Sequence, residues 1–207
     1  MIIRSVIFAA VATLSSAHAA AQARWPSDRD QGQINLGVSG SVPSCRPAVP
    51  PLMIDSLGPV RPGQPLVALE RACPRLRYGW DWGDEGIPAP AVLLRFGTAM
   101  VEVELRDTLP SSPVYRVRTE SPAIRTADGF GTGSALAAIV SAWGPPTFGV
   151  GECVLYVWFA SHPGLSFRVR VPASWECEDV LAVEQGRASK LPPGTTVREV
   201  LLFRRDK

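Results

Sequence analysis

The chain has 207 residues, of which 46% are hydrophobic and 19% charged, a balance that excludes a chain disordered throughout. Its 21 basic and 19 acidic residues give a formal net charge of +2, too little for the broad basic footprint of a nucleic-acid binder. With 18 glycines and 20 prolines, turns are frequent and long helices few, and two histidines are too few for an imidazole-based metal centre.

Residues 1–23 read as an export signal: Arg4, an apolar stretch from Val6 to Leu14, and two small-x-small cleavage sites at Ala17-His18-Ala19 and Ala21-Gln22-Ala23. The apolar run falls short of the roughly 20 residues that span a bilayer, so no transmembrane anchor is expected after processing. The expected location is the periplasm or the exterior, with cleavage after Ala19 or Ala23, and His162 is then the one histidine left.

Residues 24–44 form a polar arm opening with Trp25-Pro26, in which Gln33 to Val38 alternates as a short edge strand. Two units follow, 45–112 and 113–207, each beginning with a glycine turn that enters a helix. Aligning Gly63 with Gly133 puts Leu66 on Leu136 and Leu69 on Ile139. Pro65 suits an early helical position and Ser134 an N-cap. In the second helix, Ala135 to Trp143, residues Leu136, Ile139, Val140 and Trp143 share a face, and Gly144-Pro145-Pro146 ends it.

A hairpin follows each helix. In the first unit Ala91–Phe96 turns at Gly97-Thr98 and returns as Ala99–Leu105, with Val101, Val103 and Leu105 on one face and Glu102 and Glu104 on the other. In the second, Cys153–Ala160 turns at Ser161–Gly164 and returns as Leu165–Val171, with Arg168 and Arg170 facing water. Val114–Thr119 and Thr196–Phe203 read as further strands, whereas Val180–Gln185 reads equally as a strand or a helical turn. An inserted Trp/Gly loop accounts for the longer spacing between glycine turn and hairpin in the first unit. Two such units joined through their hairpins give an α+β fold: one antiparallel sheet with two short helices on one face, a tandem pseudo-repeat.

Cys45, Cys73, Cys153 and Cys177 are even in number and lie beyond an export signal, so they are expected as two disulfides. Of the three possible pairings, the local one, Cys45–Cys73 with Cys153–Cys177, is favoured because antiparallel pairing brings the ends of the second hairpin together.

The segments Gly58-Pro59-Val60-Arg61-Pro62-Gly63-Gln64-Pro65-Leu66, Ile124 to Ser134 and Trp143-Gly144-Pro145 resemble segments of uncharacterised exported bacterial proteins. The tandem layout over residues 55–172 is similar to the beta-lactamase-inhibitor-protein-like fold and to outer-membrane assembly lipoproteins. That resemblance implies binding rather than catalysis and transfers no individual site residue.

The candidate binding residues lie in one aromatic and acidic loop: Tyr78, Trp80 and Trp82 share a side of an extended segment, flanked by Asp81, Asp84 and Glu85. Aromatics beside carboxylates suit a protein or carbohydrate partner, with a solvated loop or a calcium site as the alternatives. His162 reads as a hairpin-turn residue rather than a catalytic base, and Gly129–Ser134 as a structural turn rather than a phosphate cradle. Arg116 and Arg118 are expected to pair across strands with Glu102 and Glu104. No catalytic residue, metal or cofactor is assigned. The expected function is non-enzymatic binding of an exported protein or envelope component through the open sheet face and the Tyr78–Glu85 loop, with a carboxylate-dependent envelope hydrolase and a structural accessory protein as the other readings.

Overall fold

The structure, a computed structural model, describes residues 25–26, 34, 44–46, 49–73, 76–82, 86–186 and 191–204. The proposed signal, most of the arm, and Asp84 and Glu85 lie outside the described residues.

Among the described residues, eight strands build one wholly antiparallel sheet, and three short helices accompany it. In chain order they are α1 (Leu66–Ala72), β1 (Arg77–Trp82), β2 (Pro88–Phe96), β3 (Ala99–Leu105), β4 (Val114–Thr119), α2 (Leu136–Trp143), β5 (Thr147–Gly151), β6 (Val154–Trp158), β7 (Leu165–Arg170), α3 (Cys177–Glu184) and β8 (Thr196–Phe203). The strand order is β1-β2-β3-β4-β8-β7-β6-β5. Two four-strand meanders therefore meet at the centre, where β4 pairs with β8.

The period-two pattern sets the main core. Val92, Leu94 and Phe96 of β2, Val101 and Val103 of β3, Phe167 and Val169 of β7, and Val200 and Leu202 of β8 join Leu66 and Leu69 of α1, Leu136 and Ile139 of α2, and Val180 and Val183 of α3 in a single buried cluster. All three helices thus cover the same sheet face. The two-helix expectation is corrected by α3. Its start carries a capping box in which Glu176 and Asp179 reciprocally satisfy backbone N–H groups, which tips Val180–Gln185 toward helix.

The edge strands β1 and β5 are the other departures from the sequence reading. The first part of the Tyr78–Glu85 loop expected from sequence lies in strand β1, and Thr147–Gly151 forms the further strand β5. Both carry glycine, which weakens strand propensity, and both pair on one side only. At Gly149 a Cβ would stand 2.5 Å from the Trp158 ring, so the glycine makes room for that indole. The longer spacing in the first half is divided between the connection after Trp82, residues 83–87, against the two-residue turn Glu152-Cys153 of the second half, and the greater length of β1 and β2. Both of those turn residues have positive φ, as a tight hairpin requires.

The turns before α1 and α2 are held by the same bonds at corresponding positions. Gly63 N–H donates to Val114 O, Val114 N–H to Gln64 O, and Leu66 N–H to Ser112 O; Gly133 N–H donates to Val197 O, Val197 N–H to Ser134 O, and Leu136 N–H to Thr195 O. Gly63 and Gly133 share a left-handed φ, +87° and +86°. The strand registers agree: Tyr78-Val92-Val103-Val117 form one row and Phe148-Val157-Phe167-Val200 another. The irregularity between Glu104 and Leu105 matches the one between Arg168 and Val169. Ser134 does not cap α2, as expected from sequence; Ala135 occupies that position, and Ser134 Oγ instead accepts from Gly131 N–H.

Cys45 pairs with Cys73 just after α1, and Cys153 of the β5–β6 turn pairs with Cys177 at the start of α3. The favoured connectivity is the one formed.

Candidate functional site

The alternation inferred for Tyr78, Trp80 and Trp82 is present, but on strand β1 rather than on an exposed loop. Tyr78 and Trp80 point to the helix-covered face, half-buried against the core. The Tyr78 hydroxyl hydrogen-bonds the Glu70 carboxylate of α1. Trp25 from the arm seats between them, its ring centroid 5.0 Å from Tyr78 and 5.7 Å from Trp80, and its Nε1 donates to Thr108 O. Trp80 Nε1 donates to Pro26 O. Of the three aromatics, Trp82 alone is exposed, and Asp81 faces the opposite side of the sheet.

That opposite face was expected to be open. Its middle is buried instead: Glu102, Glu199, Arg116 and Leu201 are all below a tenth exposed. Arg118 is the hub. Its Nε donates to Glu102 Oε1 at 2.8 Å, and its Nη2 donates to Glu102 Oε2 at 3.0 Å and to Asp81 Oδ1 at 2.8 Å. Glu199 lies 3.8 Å from both Arg118 and Arg168, and Arg116 pairs with Glu104 at 2.6 Å. The cross-strand pairing read from sequence is present, now as a buried network.

Asp81 and Arg118 stand three strands apart in the sheet order, about 14 Å in a flat sheet. Their 2.8 Å contact therefore requires the β1–β2 edge to curl over this face. Ile34, packed with Ala91, Leu93 and Met100, and bonded through its N–H to Trp80 O, lines the same side.

Burial pushes Glu102 up to about 8, with Arg118 opposing and the Asp81 carboxylate adding to the rise. Burial likewise raises Glu199, against the pull of Arg118 and Arg168. Burial disfavours the Arg118 charge, but the Glu102 and Asp81 carboxylates more than offset it. Asp81 Oδ2 is buried without a hydrogen-bond donor, although Oδ1 accepts from Arg118. Glu102 is fully buried, out of reach of a solvent-borne substrate.

A cleft of about 710 Å³ opens between α2, β5, the end of α3 and residues 191–195. Leu136, Ala137 and Val140 of α2 line one wall, and Phe148, Val183 and Leu191 face them. Its lining is mostly apolar, with Glu184 at the rim accepting from Val150 N–H at 3.1 Å. This size and chemistry suit a ligand site. Sequence reasoning assigned Leu136 and Val140 to the core and gave Phe148 and Leu191 no role. The available signal was the α2 segment LAAIVSAW, apolar at almost every position, more than one packed face uses.

His162 sits in the expected turn, its N–H bonded to Phe159 O and its ring stacked on Trp143 at 3.6 Å. The Gly129–Ser134 turn is occupied by the Arg125 guanidinium, which donates to Gly129 O, Thr132 O and Ser134 Oγ. Among the described residues no helix is long and apolar enough to cross a membrane.

No family model matches the sequence, and no curated protein matches it. A solved structure, the uncharacterized protein YfeY from Escherichia coli, is similar with a TM-score of 0.51 at 16% identity, over 74% of this chain and 99% of that one. At that identity the likeness concerns the fold alone.

Proposed function

We propose that the chain is an exported, non-enzymatic binding protein of the bacterial envelope or exterior, and that its site is the apolar cleft beside α2. The cleft is the observation that carries this reading: apolar surface left open along a helix invites a ligand that removes it from water. The two disulfides and the N-terminal sequence support an oxidising location. The corresponding turn bonds, strand rows and irregularities support reading the two halves as copies of one helix-and-meander unit, with α3 inserted in the second.

The test is binding of the apolar dye 1-anilinonaphthalene-8-sulfonate to the folded protein and to Ala137→Trp. Ala137 is exposed on the cleft wall, so the indole fills the site without entering the core. Dye fluorescence that rises with the native chain and is lost in the variant supports the cleft. Equal fluorescence from both, or none from either, refutes it.

A further inference from the structure

The cleft has a counterpart in the first half, and that counterpart is filled. Aligning Gly63 with Gly133 and following the strand registers puts Tyr78 on Phe148 and Trp80 on Val150. It also puts Val67 and Glu70 of α1 on Ala137 and Val140 of α2. The connections before β4 and β8 align through Ser112 N–H donating to Leu109 O and Thr195 N–H donating to Pro192 O, which puts Thr108 on Leu191.

In the first half an indole occupies this place. Trp25 packs edge-on against Tyr78 and gives its N–H to the Thr108 carbonyl. In the second half Phe148 and Leu191 hold the corresponding positions, and the cleft lies between them. The residues of β1 on which Trp25 packs, Tyr78 and Trp80, correspond to Phe148 and Val150 of β5. Phe148 is aromatic like Tyr78, and the Leu191 carbonyl corresponds to the acceptor used by Trp25. Glu70 of the first half is replaced by Val140, and exposed Glu184 instead stands at the rim, beside Val150, and sets the charge of the occupant.

We infer that the cleft binds a tryptophan side chain presented on an extended segment of a partner protein, with a basic residue beside it to meet Glu184. Arg24-Trp25-Pro26 of the arm is the template for such a segment. This rests on the cleft being the binding site and deepens it by naming the occupant. An aromatic anchor in an apolar pocket, with its one polar atom satisfied, is the usual form of a dominant contact.

The probe is a capped peptide of residues 23–27, Ala-Arg-Trp-Pro-Ser, carrying 5-fluorotryptophan and observed by fluorine NMR. With the native protein the resonance broadens and shifts; with Ala137→Trp, shown to be folded by its near-ultraviolet circular dichroism, it stays as in free peptide. A peptide with leucine in place of tryptophan, measured by calorimetry, binds at least tenfold more weakly, and one with glutamate in place of arginine binds several-fold more weakly. A leucine peptide that binds equally, or a tryptophan peptide that still binds Ala137→Trp, overturns the inference. If the apolar dye binds and the peptide does not, the tryptophan assignment fails and the cleft stands. If neither binds, both fail.

Discussion

Glu102→Gln tests whether the buried network holds a proton at neutral pH. Glu102 moves from the ordinary 4.5 to about 8 in the folded chain, chiefly through burial, whereas the unfolded chain releases its proton near 4.5. Between those values the unfolded state binds fewer protons than the native state, so stability falls as pH rises, by up to about 1.4 kcal/mol per pH unit. The loss starts near pH 4.5 and levels off above pH 8. From pH 5 to pH 7 this single group removes roughly 2–3 kcal/mol. Glutamine is neutral in both states and lacks the slope. Its contact with Arg118 is weaker, which lowers stability by a similar amount at every pH in the window. The assay is urea unfolding of both proteins at pH 5, 6, 7 and 8 with disulfides intact. The expected result is a stability difference that shifts toward the glutamine form by roughly 2–3 kcal/mol between pH 5 and pH 7. Glu199, raised in the same direction, slopes alike in both proteins and cancels. Parallel pH profiles would refute a proton-bearing Glu102.

Ile139→Ala empties a fully buried position where α2 meets the sheet and is expected to cost about 2–5 kcal/mol, read by the same unfolding; a cost under 1 kcal/mol would contradict the packing. Gly149→Ala drives a methyl into the Trp158 ring and is expected to cost about 1–3 kcal/mol with a shifted indole emission, and unchanged emission would contradict the contact. Replacing Cys153 and Cys177 together by serine opens a loop of 24-residue separation and is expected to cost about 3.5 kcal/mol, whereas unaltered stability would mean the bridge constrains little.

The hairpin strands were legible because their alternation is strong: Val101, Val103 and Leu105 against Glu102 and Glu104, or Phe167 and Val169 against Arg168. The starts of α1 and α2 were legible from their glycines, and the Cys153–Cys177 bridge from strand ends that antiparallel pairing brings together. Cross-strand pairing of Arg116 and Arg118 with Glu102 and Glu104 was legible from the alternation, but the individual partners and their burial were not. Alternation shows that two faces differ; it does not show that the second face curls inward. Tyr78 and Trp80 were placed on one side correctly and then assigned to a surface, because Trp25, distant in sequence, is what covers them. The cleft escaped notice for the same reason. An apolar helix wall reads as core until the element that leaves it uncovered is known, and here that depends on α3 and residues 191–195.

The position of β8 has a consequence for how the molecule is completed. It is formed last in the order of elements, yet it lies between β4 and β7. Until it arrives, each meander ends in a raw hydrogen-bonding edge, and the glycine turn before α2 lacks the carbonyl of Val197 that ties it down. A chain cut before Thr196 would leave two separate four- and three-stranded sheets with adhesive borders rather than a slightly shortened protein, so proofreading by proteases and clumping should both concentrate on truncated forms.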